Sequence, residues 1–464
     1  MILKTIHHQF EPFENRMRQA GIPKIVINNF KNQYIQLTTG VLNRIAESSI
    51  NPIQTLPHIE SFKNDSALKH IGTNALRHTV LVKLNGGMGA GMGLTTGKSL
   101  LVIKNNLTFL DIIAQQANHY KIPLLLMNSI HTRKPSLKVL RKHDNSNGNI
   151  PIDFLQHQLP KIVKNDYSLA TYQENSDLEW YPPGHGDFYL ALITSGVLDQ
   201  LLKLGIRYAF ISNADNLGAV IDPVILGYQI QNNISFLMEV SKRTSADIKG
   251  GHLAKSTDNH LILREIAQCL PEELAHFQNI RRHQFFNTNN LWIDLIALKD
   301  VYHKNDDNLQ LPPILHLQNI NPHDKNSPLV YQLETAIGSA ISVFPNAKAI
   351  QVPRSRFAPV KGTNGLLAVR SDAYKLTKDF RVILDPSRNL PPPQISLDRR
   401  YWMLEVMESM FPFGLPSLIN CEKLEINGEF KFGHNIILKG NVKLSSNSPK
   451  FIKDNTVIEG NCNF

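Results

Sequence analysis

The stretch NGGMGAGMGLTTGKS (85–99) holds the densest chemical signal in this chain of 464 residues. Five of the eight residues from Gly86 to Gly93 are glycine, directly after the apolar run VLVKL. Glycine permits positive φ and lets backbone N–H groups approach a ligand closely. Lys98 follows with a compact cation suited to phosphate oxygens. The pattern fits a loop that cradles a polyphosphate; the plainer reading is a tight strand-to-helix turn with no ligand. Counting excludes two familiar phosphate motifs. A Walker loop requires glycine five positions before Gly97-Lys98-Ser99, where Met92 stands. The dinucleotide fingerprint fails because Met92 and Leu94 occupy its third glycine position in the two frames tested.

Other candidates lie further along. Asp215 follows the apolar run YAFIS and should emerge at the carboxyl end of a strand, where open α/β sheets bind ligands. One carboxylate plus phosphates and water is a common Mg²⁺ shell. Alternatively Asp215 caps the next helix. His185 lies in PPGHGD, where flanking glycines give its ring access to a ligand; a surface or core histidine is the alternative. FNTNN sets Asn287 and Asn289 on one face of an extended segment. Amides suit sugar hydroxyls because they donate and accept; an Asn-rich turn is the alternative. Glu265, Lys249 and Lys361 could each be ordinary solvated side chains. Arg354 and Arg356 beside Lys361 suggest a cationic wall, with a structural role for Arg356 the other option.

These residues need a frame. Short apolar runs ending in Gly, Asn or Asp alternate with amphipathic stretches from Val80 onward. VLVKLNGG (80–87) precedes FLDIIAQQANHY (109–120), PLLLMNS (123–129) precedes SLKVLRKH (136–143), and YAFISNAD (208–215) precedes PVILGYQIQ (223–231). This alternation predicts an α/β fold with a largely parallel sheet and helices on both faces. Within GDFYLALITSGVLDQLL, Leu190, Ile193, Val197 and Leu201 share one helical face. Residues 1–75 read as a helical N-terminal region, with Val41, Leu42 and Ile45 among its periodic apolar positions. Residues 76–384 read as the catalytic domain. DPSRNLPPP (385–393) opens a C-terminal linker and β region, 385–464, whose alternating residues and regular glycines suggest a small coil of parallel strands.

Bulk properties narrow the function classes. A chain this long exceeds one ordinary core, so two or three domains are expected. Hydrophobic residues make up 42% and charged residues 19%, which indicates a packed protein. Lys+Arg minus Asp+Glu is 49 − 39 = +10. The excess is dispersed, without a long basic block or an aromatic RNA-binding motif, so nucleic acid is not the expected partner. No apolar run reaches membrane-spanning length, and the N-terminus carries Glu11 and Glu14 where a signal sequence would be apolar. Cys269, Cys421 and Cys462 form neither a disulfide framework nor a zinc pattern. The expected compartment is the cytoplasm.

The loop LNGGMGAGMG with Lys98-Ser99 resembles the nucleotide loop of eukaryotic-type UDP-glucose pyrophosphorylases, the UTP–glucose-1-phosphate uridylyltransferases. Further segments agree in order: LLMNS (125–129), FLQHQLPKI (154–162), WYPPGHGDFY (180–189), FISNADNLGA (210–219), MEVSKRTSADIKGG (238–251), FNTNNLWI (286–293), QLETAIGSA (332–340) and PRSRFAPVK (353–361). The resemblance covers about residues 78–375 and fades into the C-terminal β region. It implies a nucleotidyltransferase-type (GT-A/Rossmann-like) mixed, mostly parallel sheet with helices on both faces, and a small β-helix-like C-terminal domain. It also implies Mg²⁺-dependent uridylyl transfer from UTP to glucose 1-phosphate. By motif match, Leu84, Asn85, Gly86, Gly87 and Met127 lie against the nucleotide, and Gln156 and Gly184 read the uracil edge. Lys98 and Lys361 hold phosphates, and His185 sits near the α-phosphate. Asn213 and Asp215 face ribose, phosphates and Mg²⁺, with Asp215 as the metal ligand. Gly251, Glu265, Asn287 and Asn289 hold the hexose hydroxyls.

Two departures stand out. The family usually has proline before the loop lysine, and this chain has Gly97. The chain ends at GNCNF, short of a tail that contributes to higher oligomers in some members, so a homo-oligomer stays open. The chemistry itself is plausible for these residue types. The attacking group is an ionised phosphate that needs no general base, and the chief task is neutralising charge between two anions. Alternative readings are a pyrophosphorylase for UDP-N-acetylglucosamine or for many UDP-sugars, and a non-catalytic nucleotide-binding protein.

Overall fold

The computed structural model describes residues 2–41, 44–143, 147–305 and 309–463, without the side chains of 2–5 and 7. Among the described residues ten strands form the main sheet: β1 (Ile50–Pro52), β2 (Thr79–Asn85), β3 (Leu124–Asn128), β4 (Asp153–Leu155), β5 (Tyr208–Asn213), β6 (Phe236–Lys242), β7 (His252–Ser256), β8 (Leu261–Arg264), β9 (Phe285–Asp294) and β10 (Lys348–Gln351). The path runs β1-β7-β9-β5-β2-β3-β4, with β6 on β9 and β10, and β8 on β7. β5, β2, β3 and β4 are parallel neighbours, and so are β6 and β10. The antiparallel strand β9 joins these two blocks.

Alternation along the strands explains why both faces are covered. Leu81 and Phe210 point into one apolar cluster, and Val80, Val82, Ala209 and Ile211 into another. Helices follow the strands as their periodicity predicts. Phe109–Tyr120 is helical behind a Thr108/Asp111 capping box, and Pro223–Gln231 starts on the Asp222 cap. The second helix packs on Ser66–Ala75, where Gly227 and Gly72 allow close approach of the backbones. The GDFYLALITSGVLDQLL stretch differs from expectation. It forms two short helices, Phe188–Thr194 and Val197–Lys203, because Gly196 turns left-handed at φ 76°. Leu190, Val197 and Leu201 are nonetheless all buried.

The N-terminal helices Ile2–Gln19 and Lys24–Thr38 pack Phe10, Phe13, Phe30 and Tyr34 into a cluster shared with Leu159, Tyr181 and Leu333. Val41 and Ile45 lie beyond these helices, Val41 is exposed, and Leu42 is outside the described residues. The expected helical periodicity there does not hold. β1 also brings the first 75 residues onto the main sheet. At the other end, strands Gln394–Leu397, Ser417–Asn427, Ile437–Ser445 and Val457–Asn463 stack in parallel, with Phe430–Phe432 parallel to Lys450–Ile452 on a second face. The proline-rich stretch before them is bolted down. Arg388 is buried and donates to the carbonyls of Pro391, Leu418, Ile419 and Cys421.

Candidate active site

A cavity of about 330 Å³ opens at the carboxyl ends of the central strands. His185, Asn213, Asp215, Gly251, Glu265, Asn287, Asn289 and Lys361 all line it, with Lys249, Phe286 and Phe357. These residues come from segments spread over 177 positions of the chain (361 − 185 + 1).

Asp215 leaves the end of β5, as its sequence context predicts. Lys98 Nζ donates to Asp215 Oδ2 at 2.8 Å, so the glycine-rich loop and the strand end meet through an ion pair. The pair is mostly buried, at 16% exposure for Lys98 and 21% for Asp215, and Asp215 lines the cavity. The loop itself needs glycine: Gly89 and Gly93 take φ of 71° and 73° around a short turn at Ala90–Met92. Lys98 N–H returns to Gly87 O at 3.2 Å, which closes the loop.

His185 sits where Gly184 turns into a short helical turn. Its Nδ1 accepts from Ile337 N–H at 2.9 Å, which leaves Nε2 as the protonated nitrogen. Burial holds its pKa down to about 4, so the ring is neutral near pH 7. It is thus a hydrogen-bond donor rather than a cation.

The hydroxyl-binding candidates are built differently from the simple alternation expected. Asn287 Nδ2 donates to Asn289 Oδ1 at 2.7 Å, and Asn289 N–H donates back to Asn287 Oδ1 at 2.9 Å. A register shift between Glu239 and Val240 of β6 bulges β9 here, with Asn289 at φ 57°. Both amides line the cavity, as their spacing predicts, on a strand that is irregular at this point. Glu265 packs over Gly251, where an added Cβ would lie 2.6 Å from the carboxyl carbon and both oxygens. Desolvation raises the Glu265 pKa to about 7.

The nucleotide candidates form a second group beside the cavity. Gln156 Nε2 donates to Gly184 O at 2.7 Å, and its Oε1 faces Gly86 so closely that a Cβ there would lie 2.7 Å away. Gly86, Gln156 and Gly184 are thereby assembled. Gly87 and Leu84 flank them, Leu84 through a carbonyl that accepts from Ala214 N–H. Three side chains do not join the cavity. Leu84 and Met127 are buried in the apolar cluster beneath the sheet, and the Asn85 amide is consumed by Asn128 Oδ1 and Ser136 Oγ at 2.7 and 2.8 Å.

The expected cationic wall is reduced. Arg354 is paired with Asp247 at 2.7 and 2.9 Å, and Arg356 with buried Glu239 at 2.5 and 2.8 Å. Lys361 remains at the cavity, its Nζ 5.9 Å from the Phe357 ring centre. Sequence reasoning missed Asp247, Phe286 and Phe357. The first lies in the same SADIKGG run as Gly251, but no periodicity marks the aromatic pair.

The arrangement combines several carboxyl groups, lysines, a neutral imidazole donor and paired amides. It meets the needs of a phosphate ester and a polyhydroxylated ring. A family model described as UTP--glucose-1-phosphate uridylyltransferase matches residues 27–439. The chain belongs to that family. A uridylyltransferase of this description from Solanum tuberosum is 41% identical over 377 residues, covering 80% of this chain and 77% of its own. One from Dictyostelium discoideum is 34% identical over 96% of this chain and 91% of its own. A crystal structure of a UDP-glucose pyrophosphorylase mutant from Leishmania major, in complex with UDP-glucose, superposes with a TM-score of 0.90 at 38% identity, over 97% of this chain and 98% of that one. A Trypanosoma brucei structure described as UDP-glucose phosphorylase gives 0.86 at 41%, over 96% of this chain and 98% of its own. The mixed α/β sheet and the parallel C-terminal strands are thus the fold of the UTP–glucose-1-phosphate uridylyltransferase family.

Proposed function

We propose that this cavity joins UTP to glucose 1-phosphate, forming UDP-glucose and releasing pyrophosphate, by direct in-line attack without a covalent intermediate. One observation carries this assignment of roles. Asp215, held by Lys98, lines one cavity together with His185, Glu265, Asn287, Asn289 and Lys361.

Among the described residues no three His, Cys, Asp or Glu side chains gather as a metal cage. Asp215 at the cavity suits Mg²⁺, which commonly takes one or two carboxylates and completes its shell with phosphate and water. When bound there, Mg²⁺ supplies charge neutralisation at the reacting phosphates. The remaining roles belong to the chain. Lys98 and Lys361 bring ammonium groups toward phosphate oxygens from two sides. His185 Nε2–H donates a hydrogen bond to phosphate and moves no proton. Gln156, with Gly86 and Gly184 against it, presents an amide to the uracil edge. Glu265, Asn287 and Asn289 orient the hexose through its hydroxyls. The acceptor is already ionised, so orientation and charge stabilisation account for the rate. The three cysteines are free, two of them buried, which suits a reducing cytoplasm.

The test is product analysis with UTP, Mg²⁺ and a panel of glucose, galactose and N-acetylglucosamine 1-phosphates. UDP-glucose with stoichiometric pyrophosphate is expected. Turnover with N-acetylglucosamine 1-phosphate but not glucose 1-phosphate overturns the sugar assignment.

A further inference from the structure

Beneath the cavity lies a closed set of buried polar groups that none of the roles above uses. Asn216, 1% exposed, makes four side-chain hydrogen bonds. Its Nδ2 donates to Asn290 Oδ1 at 3.2 Å and to Arg356 O at 3.1 Å. Its Oδ1 accepts from Gly218 N–H at 3.2 Å and from Ala358 N–H at 3.0 Å. Asn290 Nδ2 also donates to Arg356 O and to Glu239 Oε2. Glu239, fully buried, accepts in addition from Arg356 and from Trp292 Nε1–H. Every partner of this network is satisfied, the condition under which buried polar groups fix one geometry.

The network joins two segments that carry reactive groups. One is the loop 213–219, which holds Asp215 at its start. Its base is independently secured, since Lys83 donates to Ser212 Oγ and Ala219 O, and Ala214 N–H donates to Leu84 O. The other is the segment 354–361, which ends in Lys361. Between them run an Asn216–Pro359 bridge and the bond from Val360 N–H to Asp215 O at 3.1 Å. The backbones approach so closely that a Cβ on Gly218 would sit 2.3 Å from Ser355 O. Asn216 is thus the side chain that clamps the Lys361 segment onto the Asp215 loop.

We infer that Asn216 is a positioning residue for uridylyl transfer: it touches no substrate and acts by holding Lys361 at a set distance from Asp215. The inference rests on the roles proposed above for those two residues. A misplacement near 1 Å can cost about a hundredfold in rate, so loss of the clamp should lower kcat about 10- to 100-fold. UDP-glucose affinity should change less than threefold, because only one of the four Asn216 bonds, that to Asn290, reaches the strand that carries Asn287 and Asn289, and none reaches Gln156 or Glu265.

The experiment is a double-mutant cycle of Asn216→Ala with Lys361→Ala in the full chain, read as kcat for UDP-glucose formation and Kd for UDP-glucose. Asn216→Asp is run in parallel; it keeps the acceptor and replaces the amide donor that faces two oxygens. The expected result is strong non-additivity: either Asn216 change costs 10-fold or more alone and less than threefold beside Lys361→Ala. Multiplying losses overturn the inference, as does an unaffected kcat. If neither Asn216 variant melts cooperatively, the residue serves the fold and the inference is overturned. An inactive wild type, or a fully active Lys361→Ala, sinks the proposed roles instead and is visible in the same data.

Discussion

Glu265→Gln separates what the cavity needs from what the fold prefers. The Glu265 carboxyl lies against the Gly251 backbone with its pKa raised from 4.5 to about 7 by desolvation. A folded-state value above the unfolded one means the native chain binds the proton more tightly. Between pH 4.5 and 7 the native state therefore holds more proton than the unfolded state, and stability falls as pH rises through that window. The difference of 2.5 units (7 − 4.5) corresponds to about 3 kcal/mol lost by pH 8, an upper bound because the cavity admits water. Glutamine is neutral at every pH and escapes this loss. At pH 4.5 the variant and wild type should have similar stability; at pH 8 the variant should be the more stable. For a chain of this length unfolding as a unit, about 3 kcal/mol is a Tm difference of roughly 3 °C. The same change replaces a charged acceptor for a sugar hydroxyl, so UDP-glucose should bind about tenfold more weakly. The measurements are thermal melts of both proteins at pH 4.5 and 8 and a UDP-glucose titration at pH 8. A Tm difference that does not vary with pH would refute the desolvation argument, and unchanged UDP-glucose affinity would remove Glu265 from the sugar site.

Asp215→Ala should keep the melting transition and lose on the order of a hundredfold or more in kcat, consistent with the loss of a major electrostatic group; near-normal turnover at saturating Mg²⁺ would remove Asp215 from the reaction. His185→Gln should lower kcat and blunt the acid destabilisation of the wild type. Because the His185 pKa is held down to about 4, its contribution is present above the unfolded value of 6.5 and is lost as pH falls toward 4. Urea midpoints at pH 5 and 7 for both proteins test this, and equal acid losses would count against it. Gly97→Pro should raise stability by about 0.4–1 kcal/mol. Gly97 already has φ −58° and ψ 134°, within proline's range, although Thr132 Cγ2 would lie 3.2 Å from a new Cβ. A melt showing net destabilisation would mean that Thr132 does not yield.

What could be read from the sequence is what depends on neighbours in the chain. β2 and β5 end where an apolar run meets Asn, Gly or Asp, and helices 109–120 and 223–231 follow from local periodicity and caps. Asp215 at a strand's carboxyl end follows from the same logic. What escaped that reading depends on distant partners. Asn85 and Asn213 both close parallel strands, yet Asn128 and Ser136 draw the first amide into the core while the second faces the cavity. Arg354 and Arg356 look alike beside Lys361, yet Asp247 takes one and Glu239, 117 positions away, takes the other. Glu265 reads as an ordinary carboxylate until Gly251 is placed beneath it. In each case the residue type announces a capacity for chemistry, and a long-range pairing decides whether the fold consumes that capacity or leaves it for a ligand. Asn216 is the sharpest instance: it stands next to Asp215 in the chain, but its side chain is fully used within the fold, two of its four bonds going to Arg356 and Ala358 of the segment that carries Lys361, one to Asn290 and one to Gly218.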